Sequence, residues 1–271
     1  MNNLRVSFCE NDNIIKATEK AVKEIIDSPD YSENSYLFFS VSDLYKEPRL
    51  AREIILKETE GKNLIFGVIS SGAIITNKGF YKKGVIIGEK KASPSIRIET
   101  ILLEGRSKNL YKKIDESINY FNSRKNGDNL TILAFVDDNF YYKESLFKHI
   151  KKAVSNANVK IVGGFTGESI TNIDSSGLFY NSPIIGKSML MLGIFSKKEK
   201  RFSVLDENIP KQDFIEKGEI VIGPSLKNIT ENLKSFLPKR PFIGIGTKQQ
   251  FYFNSETDNK ISDNMFIKTI L

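Results

Sequence analysis

Two short turns combine glycine with hydroxyl side chains, and each follows an apolar run typical of a buried strand. The first turn reads ISSG and the second reads GGFTGE. Glycine lets a ligand approach the main chain closely, successive N–H groups can bind anions, and hydroxyls both donate and accept hydrogen bonds. We therefore predict a ligand-binding crevice lined by both turns. Its candidate residues are Gly67, Ser70, Ser71, Gly72, Gly163, Gly164, Phe165, Thr166, Gly167 and Glu168.

A structural interpretation of the same turns stays open. The glycines could accommodate a neighbouring helix or a bulge at a strand end. The serines could satisfy the hydrogen-bonding groups of their own backbone. The residue types alone do not choose between these interpretations and ligand binding.

Two further candidates are polar residues that follow strands. Asp138 belongs to the run 137–139, directly after a buried strand, where a carboxylate could bind a ligand ammonium group or a divalent cation. The alternative is that this run caps the helix that follows, and we favour it because aspartate and asparagine are preferred at helix N-caps. Asn181 comes after another strand and could line the same crevice.

The sequence gives only weak indications of catalytic residues. The run 181–188 approaches a phosphate-binding loop, but Asn181 replaces the required glycine and an apolar strand follows instead of a helix. His149 and Cys9 are the only histidine and cysteine, too few for a zinc site or a Cys–His pair. We expect no catalytic residue, metal or cofactor. The alternatives are a hydrolase or transferase using Thr166 or Ser70 with a lysine base, and a protein–protein interaction module without a small ligand.

The two turns occupy equivalent places in an internal repeat. A shift of 96 residues lays Leu37 on Leu133, Phe39 on Phe135 and Gly67 on Gly163 without a gap. Self-similarity at a long period indicates duplicated supersecondary units. We predict an α+β fold in which two pseudo-symmetric β-α-β-α-β-β units pack as a sheet-and-helix sandwich. The units cover about 4–100 and 98–196.

Apolar periodicity places the elements that must position the turns. Helices are predicted over 14–26, 47–58, 108–122 and 143–155, the first capped by Asp12 or Asn13. Strands are predicted over 4–8, 35–41, 63–70, 84–88, 95–104, 129–136, 159–165, 176–181 and 187–195. We divide the chain into a duplicated domain, 1–196, and a C-terminal segment, 197–271. That segment contains a linker over 197–210, a helix over 225–236 and a strand over 241–246.

Composition restricts the partners and the location. The net charge is +7, but the lysines are spread over nearly every segment and only 197–201 is dense, so nucleic acid is not an expected partner. No run of about 18 apolar residues exists, so no membrane span is expected. A single cysteine fits a reducing cytoplasm. We predict a cytoplasmic protein.

The order of these motifs resembles the N-terminal module of the FIST domain, a sensory module of bacterial, archaeal and some eukaryotic signalling proteins. Its members have a strand ending in Phe-Ser, then a helix and a strand ending in a Gly-Cys-Ser-Ser/Thr-x-Gly-like turn. A later strand runs into a Gly-Gly-x-x-Gly-Asp-like turn, and a strand pair surrounds an Asn-Gly turn. The matching stretches here are LFFS (37–40), FGVISSGAI (66–74), IVGGFTGE (161–168) and, loosely, LFYNSPIIG (178–186).

The chain departs from this pattern at three places. Ile69 stands where the family often has a small residue or cysteine, Glu168 replaces the aspartate, and 197–271 does not match the family's longer second module. The resemblance implies recognition of a small ligand, with amino acids as candidates, coupled to a signalling output. That output would pass to a separate signalling protein or through a homo-oligomer. The resemblance implies no catalysis.

Overall fold

The computed structural model describes residues 4–72, 74–104, 109–137, 143–157, 159–167, 176–182, 184, 187–197, 203–205, 220–224, 242–254, 260–262 and 266–269. Over these residues the protein is mixed α and β, as predicted, with four helices and three mixed sheets. The helices are α1 (Ile14–Ile26), α2 (Arg49–Glu58), α3 (Leu110–Ser123) and α4 (Lys143–Ala157). The strands are β1 (Leu4–Cys9), β2 (Ser35–Ser42), β3 (Leu64–Ser70), β4 (Ile74–Thr76), β5 (Gly79–Tyr81), β6 (Val85–Lys91), β7 (Ile96–Glu104), β8 (Asn129–Val136), β9 (Lys160–Phe165), β10 (Leu178–Tyr180), β11 (Ser188–Ser196), β12 (Ser203–Leu205), β13 (Ile220–Pro224), β14 (Ile243–Thr247), β15 (Gln250–Asn254), β16 (Lys260–Ser262) and β17 (Phe266–Thr269).

Helix α1 forms where the sequence predicts it, for local reasons. Its buried positions recur every three or four residues, which gives the helix one apolar face. The Asn13 side chain accepts hydrogen bonds from the backbone N–H groups of Ile15 (2.8 Å) and Lys16 (3.2 Å). These bonds satisfy two donors that have no partner within the helix, so Asn13 is the N-cap.

The first and second sheets share a strand order. The first runs β1-β6-β2-β3-β10 and the second runs β7-β11-β8-β9-β15-β16. In each, the first three of these strands are antiparallel neighbours, and the third and fourth are parallel. The fifth strand is antiparallel to the fourth in both sheets. The origin of this likeness by duplication stays a prediction.

Strands β6 and β7, predicted over 84–88 and 95–104, lie in different sheets. Strand β6 pairs with β1 on one side and β2 on the other, so both of its edges are occupied. Strand β7 pairs with β11 in the second sheet. It therefore belongs to the second sheet alone, although the two predicted units, about 4–100 and 98–196, share this strand.

The 96-residue shift is out of register in one strand. Leu37 and Phe39 of β2 face the cluster formed with α1 and α2. Leu133 and Phe135 of β8 face away from α3 and α4, into the cluster between the sheets. Because successive strand residues point to opposite faces, an error of one residue exchanges the two faces. Equating these pairs is therefore wrong by one residue. Phe39 pairs with Gly67 and Ala134 pairs with Gly163, so under the predicted duplication Phe39 matches Ala134.

The C-terminal segment adds strands to sheets built from the rest of the chain. Strand β14 is parallel to β13 and antiparallel to β4, within a third sheet ordered β12-β17-β13-β14-β4-β5. Strand β15 is antiparallel to β9 of the second sheet. The described part of 197–271 is thus hydrogen-bonded to 4–196, although the division into domains stays a prediction. The predicted helix at 225–236 lies outside the described residues.

Three apolar clusters show how these layers stack. Helices α1 and α2 cover one face of the first sheet, and α3 and α4 cover one face of the second. The third cluster joins the inner faces of all three sheets. In the described part of the chain, no helix is long and apolar enough to cross a lipid bilayer.

We expect a chain cut after residue 205 to lose its cooperative fold. The cut removes Ile243, Ile245, Phe251 and Phe253, all buried in the clusters. Each contributes about 1.5–3 kcal/mol, so together they approach the about 5–15 kcal/mol net stability of a whole domain. Thermal unfolding followed by near-ultraviolet circular dichroism checks this, with the full chain as control. A sharp transition in the shortened chain would contradict the expectation.

Candidate functional site

The carboxyl ends of three parallel strand pairs meet at one place. These pairs are β2 with β3, β8 with β9 and β13 with β14. Ligands of open α/β sheets bind beyond the carboxyl ends of strands, so this convergence is the natural candidate site. We call residues 69–72, 165–167 and 246–249, together with Asp43 and Asp137, the strand-end joint.

The two predicted turns contact each other directly in this joint. The N–H of Gly167 donates to the Ile69 carbonyl oxygen at 2.7 Å. A Cβ atom on Gly167 would lie 3.1 Å from atoms of Ile69 and Ser70, so the closeness of the turns leaves little room for a side chain. The two turns that the sequence predicted to lie together do lie together, although the sequence did not predict that they hydrogen-bond to each other.

The hydroxyl groups of Ser70 and Thr166 are buried and hydrogen-bonded. Ser70 Oγ accepts a hydrogen bond from the N–H of Gly246 at 2.6 Å, and the N–H of Ser71 donates to the Gly246 carbonyl oxygen at 2.8 Å. Thr166 Oγ1 lies 3.5 Å from a carboxylate oxygen of Asp137. Ser70 and Thr166 have no exposed surface. These side chains hold the joint together in the structure, and any contact with a ligand would require the joint to open.

Three of the predicted glycines serve close packing within strands. A Cβ atom on Gly67 would lie 2.3 Å from the ring of Phe39. On Gly163 it would lie 1.7 Å from the Ala134 carbonyl oxygen, and on Gly164 it would lie 2.6 Å from Thr247 Oγ1. Phe165 is also fully buried, in the cluster beneath α3 and α4.

Asn181 lies away from the joint. Its Oδ1 accepts a hydrogen bond from the N–H of Ile65 (2.9 Å), and its Nδ2 donates to the Asn63 carbonyl oxygen (2.8 Å). Both partners are at the beginning of β3, whereas the joint is at its end. The structure therefore does not bring Asn181 together with the two turns, and its role in a crevice stays a prediction. Glu168 and Asp138 lie outside the described residues.

Asp137 was not among the predicted site residues, yet it is the most heavily bonded side chain of the joint. It accepts hydrogen bonds from Ser176 Oγ (2.7 Å) and from the backbone N–H groups of Gly177 (2.5 Å) and Ser188 (2.7 Å). Burial raises the pKa of Asp137 to about 6, although these hydrogen bonds act in the opposite direction. Its position after a strand was visible in the sequence, but its burial was not.

Asp43 and Lys248 were also missed. Asp43 follows β2, and one of its carboxylate oxygens accepts a hydrogen bond from the N–H of Gly72 at 3.0 Å. Gly72 has a φ of 74°, a left-handed conformation that favours glycine. Lys248 follows β14 and its side chain is exposed. Burial raises the pKa of Asp43, and the Gly72 N–H and the positive charge of Lys248 partly offset that rise.

A match to a protein-family model identifies the family of this chain. The model of the FIST N domain matches residues 35–205, which is more than half of the chain. The chain belongs to the FIST N domain family. Members of this family are sensory domains of signal transduction, which supports a sensing role. Lys248 and the rest of β14 lie beyond the matched residues.

Other known proteins add little to this assignment. No curated protein sequence matches the chain. Among solved structures, a chorismatase is 8% identical with a TM-score of 0.30, and the match covers 92% of this chain and 65% of the chorismatase. The chain thus spans less than two thirds of that protein. At this TM-score the likeness supports no conclusion about fold or function.

We expect Asp137→Asn to destabilise this FIST domain by about 1–3 kcal/mol. The Asp137 carboxylate accepts hydrogen bonds from the N–H groups of Gly177 and Ser188. In asparagine an NH2 group replaces one of the two oxygens, so one of these backbone donors would face another donor and lose its hydrogen bond. Chemical denaturation at pH 7 measures the change. Asp30→Asn is the control, because Asp30 is exposed and its replacement should change the unfolding free energy by less than about 0.5 kcal/mol. Equal effects of the two replacements would contradict the expectation.

The stability difference between wild type and Asp137→Asn should depend on pH. Because the pKa of Asp137 is raised from 3.8 to about 6 in the folded state, its stabilising effect is complete below about pH 4 and is lost as the pH rises through about 6. The loss amounts to about 3 kcal/mol. Denaturation of both proteins from pH 4 to 7.5 should therefore show the larger difference at acid pH. If the difference in unfolding free energy grew toward neutral pH, the raised pKa of Asp137 would be contradicted.

Proposed function

We propose that this FIST domain is a small-molecule sensing module of a signal-transduction system. The ligand would bind at the strand-end joint, between the two halves of the protein. The observation that carries the proposal is the contact of Gly167 with Ile69, because it brings together strand ends that belong to different sheets. Membership of a sensory family supports the same role.

We further infer that the two halves are a pseudo-symmetric, duplicated pair. The identical order and direction of the first five strands in each sheet support this inference. So do the helices: Val22 and Ile25 are buried in α1, and the residues 96 positions later, Ile118 and Phe121, are buried in α3. In such a pair the ligand would lie between equivalent turns.

Signalling from this joint has a simple physical basis. A ligand shifts an equilibrium between two states only through its different affinities for them. The Ile69 N–H donates to the Gly177 carbonyl oxygen at 2.7 Å, so Ile69 is hydrogen-bonded on both sides to segments that adjoin the second half. A ligand that parts or tightens these contacts would move one half relative to the other. A signalling protein or a second copy of the chain would read that change.

Amino acids are the leading ligand class. They carry an ammonium group and a carboxylate on one carbon atom, and the joint contains Asp43 and Lys248, one residue of each charge. The backbone N–H groups of the turns are further donors for a carboxylate.

Thermal unfolding in the presence of the proteinogenic amino acids and a panel of small metabolites tests the proposal. A compound that binds only the folded protein, at about a hundred times its dissociation constant, should add about 2.7 kcal/mol, or a shift of several degrees. The absence of a shift with every compound would contradict sensing of these ligand classes.

Hydrogen exchange with an active compound would then test the location. We expect altered protection at the N–H groups of Ile69, Ser71, Gly167 and Gly246, which all take part in the joint. The β7–β11 ladder is the internal control, because it pairs along nine residues elsewhere in the second sheet. Protection that changes only outside the joint would refute the proposed site but not sensing itself.

A further inference from the structure

Strand β7 is the longest strand at the edge of a sheet. Over the residues that the structure describes, the outer strands of the three sheets are β1, β10, β7, β16, β12 and β5. Strand β7 has nine residues, β1 has six and each of the others has three. An edge strand presents unpaired N–H and C=O groups, to which a strand of another chain can add. The longest edge offers the most of these groups.

The hydrogen-bond pattern of the second sheet shows which backbone groups of β7 are already used. The N–H of Asp137 donates to the Ser188 carbonyl oxygen at 3.0 Å, and this pair directly follows the last pair of the β8–β11 ladder. In an antiparallel ladder, hydrogen-bonded and non-hydrogen-bonded pairs alternate. Every second residue of β11, from Met189 to Phe195, therefore directs its backbone groups to β7. The partners of these residues in β7 are Leu103, Ile101, Glu99 and Arg97.

The intervening residues of β7, Ile98, Thr100 and Leu102, direct their N–H and C=O groups to the free edge. None of the described residues pairs with these three from the outer side. They are spaced evenly about Thr100. A second β7 strand, placed antiparallel by a twofold axis at Thr100, would bring Thr100 opposite its own counterpart and Ile98 opposite the counterpart of Leu102. Each such pair would exchange two N–H···O bonds.

We propose that the edge of β7 is a homodimer interface, in which two copies of the chain join their second sheets into one antiparallel sheet about a twofold axis at Thr100. The occupant is a second copy of this chain because, in this register, the edge is complementary to itself. The interface goes beyond the sensing role proposed above and does not depend on a ligand.

The side chains of β7 suit the same register. On the inner face, Ile98 would lie beside the counterpart of the half-buried Leu102, which would extend the apolar cluster between the sheets into the second copy. On the helix face, Arg97 and Glu99 would each lie opposite an isoleucine or a leucine. Like charges directly opposite each other destabilise a strand pair, and this register places none there.

Strand β7 lacks features that commonly protect an edge from pairing. Natural proteins use lysine, proline or a bulge for this purpose. The nine residues of β7 include neither lysine nor proline, and they pair one to one with β11. Arg97 Nη1 lies 2.5 Å from Glu99 Oε1, and the guanidinium carbon of Arg97 lies 4.1 Å from the ring centre of Phe195. These two charges are therefore held against their own sheet.

An exposed aromatic side chain flanks this edge. Tyr120 of α3 is 47% exposed, the highest fraction among the exposed large hydrophobic residues of the described chain. Arg124 follows four residues later, on the same side of the helix, and its Nη2 lies 3.1 Å from Glu99 Oε1. Tyr120 therefore lies on the side of α3 that adjoins β7. The twofold axis would place α3 of the second copy beside it and remove this apolar surface from water.

Sedimentation equilibrium of the full chain, from low micromolar to near-millimolar concentration, tests the interface. We expect wild type to reach twice its chain mass of 30.7 kDa. Thr100→Lys and Thr100→Glu each place like charges opposite each other at the axis, so each variant should sediment as a single chain. An equimolar mixture of the two should recover the doubled mass, because opposite charges then meet. Thr100→Val is the control and should remain a dimer.

Amide exchange followed by nuclear magnetic resonance tests the location. The N–H groups of Ile98, Thr100 and Leu102 should exchange roughly tenfold or more slowly in wild type than the first and last of them do in Thr100→Lys. The N–H groups of Glu99 and Ile101, which are bonded to β11, should stay protected in both proteins.

A further variant tests the flanking contact. Tyr120→Ser should weaken the association of the two copies roughly tenfold or more. Ile15→Ser is the matched control, because Ile15 is 43% exposed on α1 of the first half, and its replacement should leave the association unchanged.

Each contrary result is decisive. A wild-type chain that sediments as a monomer at every concentration would overturn the interface. A doubled mass that persists in Thr100→Lys and Thr100→Glu would do so too, since the copies would then meet elsewhere. A mixture that stays monomeric would refute the axis at Thr100. If a variant does not fold, rapid exchange of the three outward N–H groups in wild type would still overturn the proposal. None of these results bears on ligand binding, so the sensing role is tested separately.

Discussion

Hydrogen bonds to both oxygens of Asp137 fix the end of β8 to the segments that begin at Ser176 and Ser188. Gly177, bonded to the same carboxylate, also accepts a hydrogen bond from Ile69 at the end of β3. One buried carboxylate is therefore the link through which the second sheet is placed against the first. The turns at 69–72 and 165–167 lie beside this link and are also joined directly by the hydrogen bond from Gly167 to Ile69. Its ionisation costs free energy at neutral pH, and the hydrogen bonds offset part of that cost.

The helices and strands could be predicted from the sequence because their signals are local. Apolar spacing, the cap at Asn13 and the proline before α2 act within a few residues, and the elements that were predicted within the described residues have observed bounds that differ by a few residues at most. Seven strands were not predicted: β4, β5, β12, β13, β15, β16 and β17. One of them, β12, lies in the predicted linker over 197–210, so that stretch is not a linker throughout. Strand pairing depends on distant residues, and there the sequence was less informative. The one-residue error that superimposes Leu37 on Leu133 leaves the apolar pattern almost unchanged, because strands buried on both faces are apolar at most positions. Only the ladders and the clusters reveal which face each residue occupies.

In the candidate site, residue types likewise did not reveal which groups are buried and hydrogen-bonded. A glycine that makes room for a ligand and a glycine that makes room for Ala134 look identical in a sequence. A serine at a turn can face solvent or accept a hydrogen bond from Gly246, and only its burial separates the two. The sequence therefore predicted which turns meet but not which of their groups remain available. Asp43 and Lys248, two charged residues of the joint, carry no motif, and they come from segments far apart in the chain.

The two aspartates at the strand ends illustrate how stability and recognition divide within one joint. Asp137 has donors for both oxygens, so its place in the folded protein is explained by the contacts it makes there. Within the part of the chain that the structure describes, Asp43 has a hydrogen-bond donor for one oxygen, Oδ2, and none for Oδ1. The cost of a buried acceptor without a donor is retained where a group serves something outside the fold, since proteins tend to break local rules at functional sites. Among the described residues, the hydrogen bonds to the carboxylate are complete at Asp137 and incomplete at Asp43. A ligand would therefore act on the joint at Asp43.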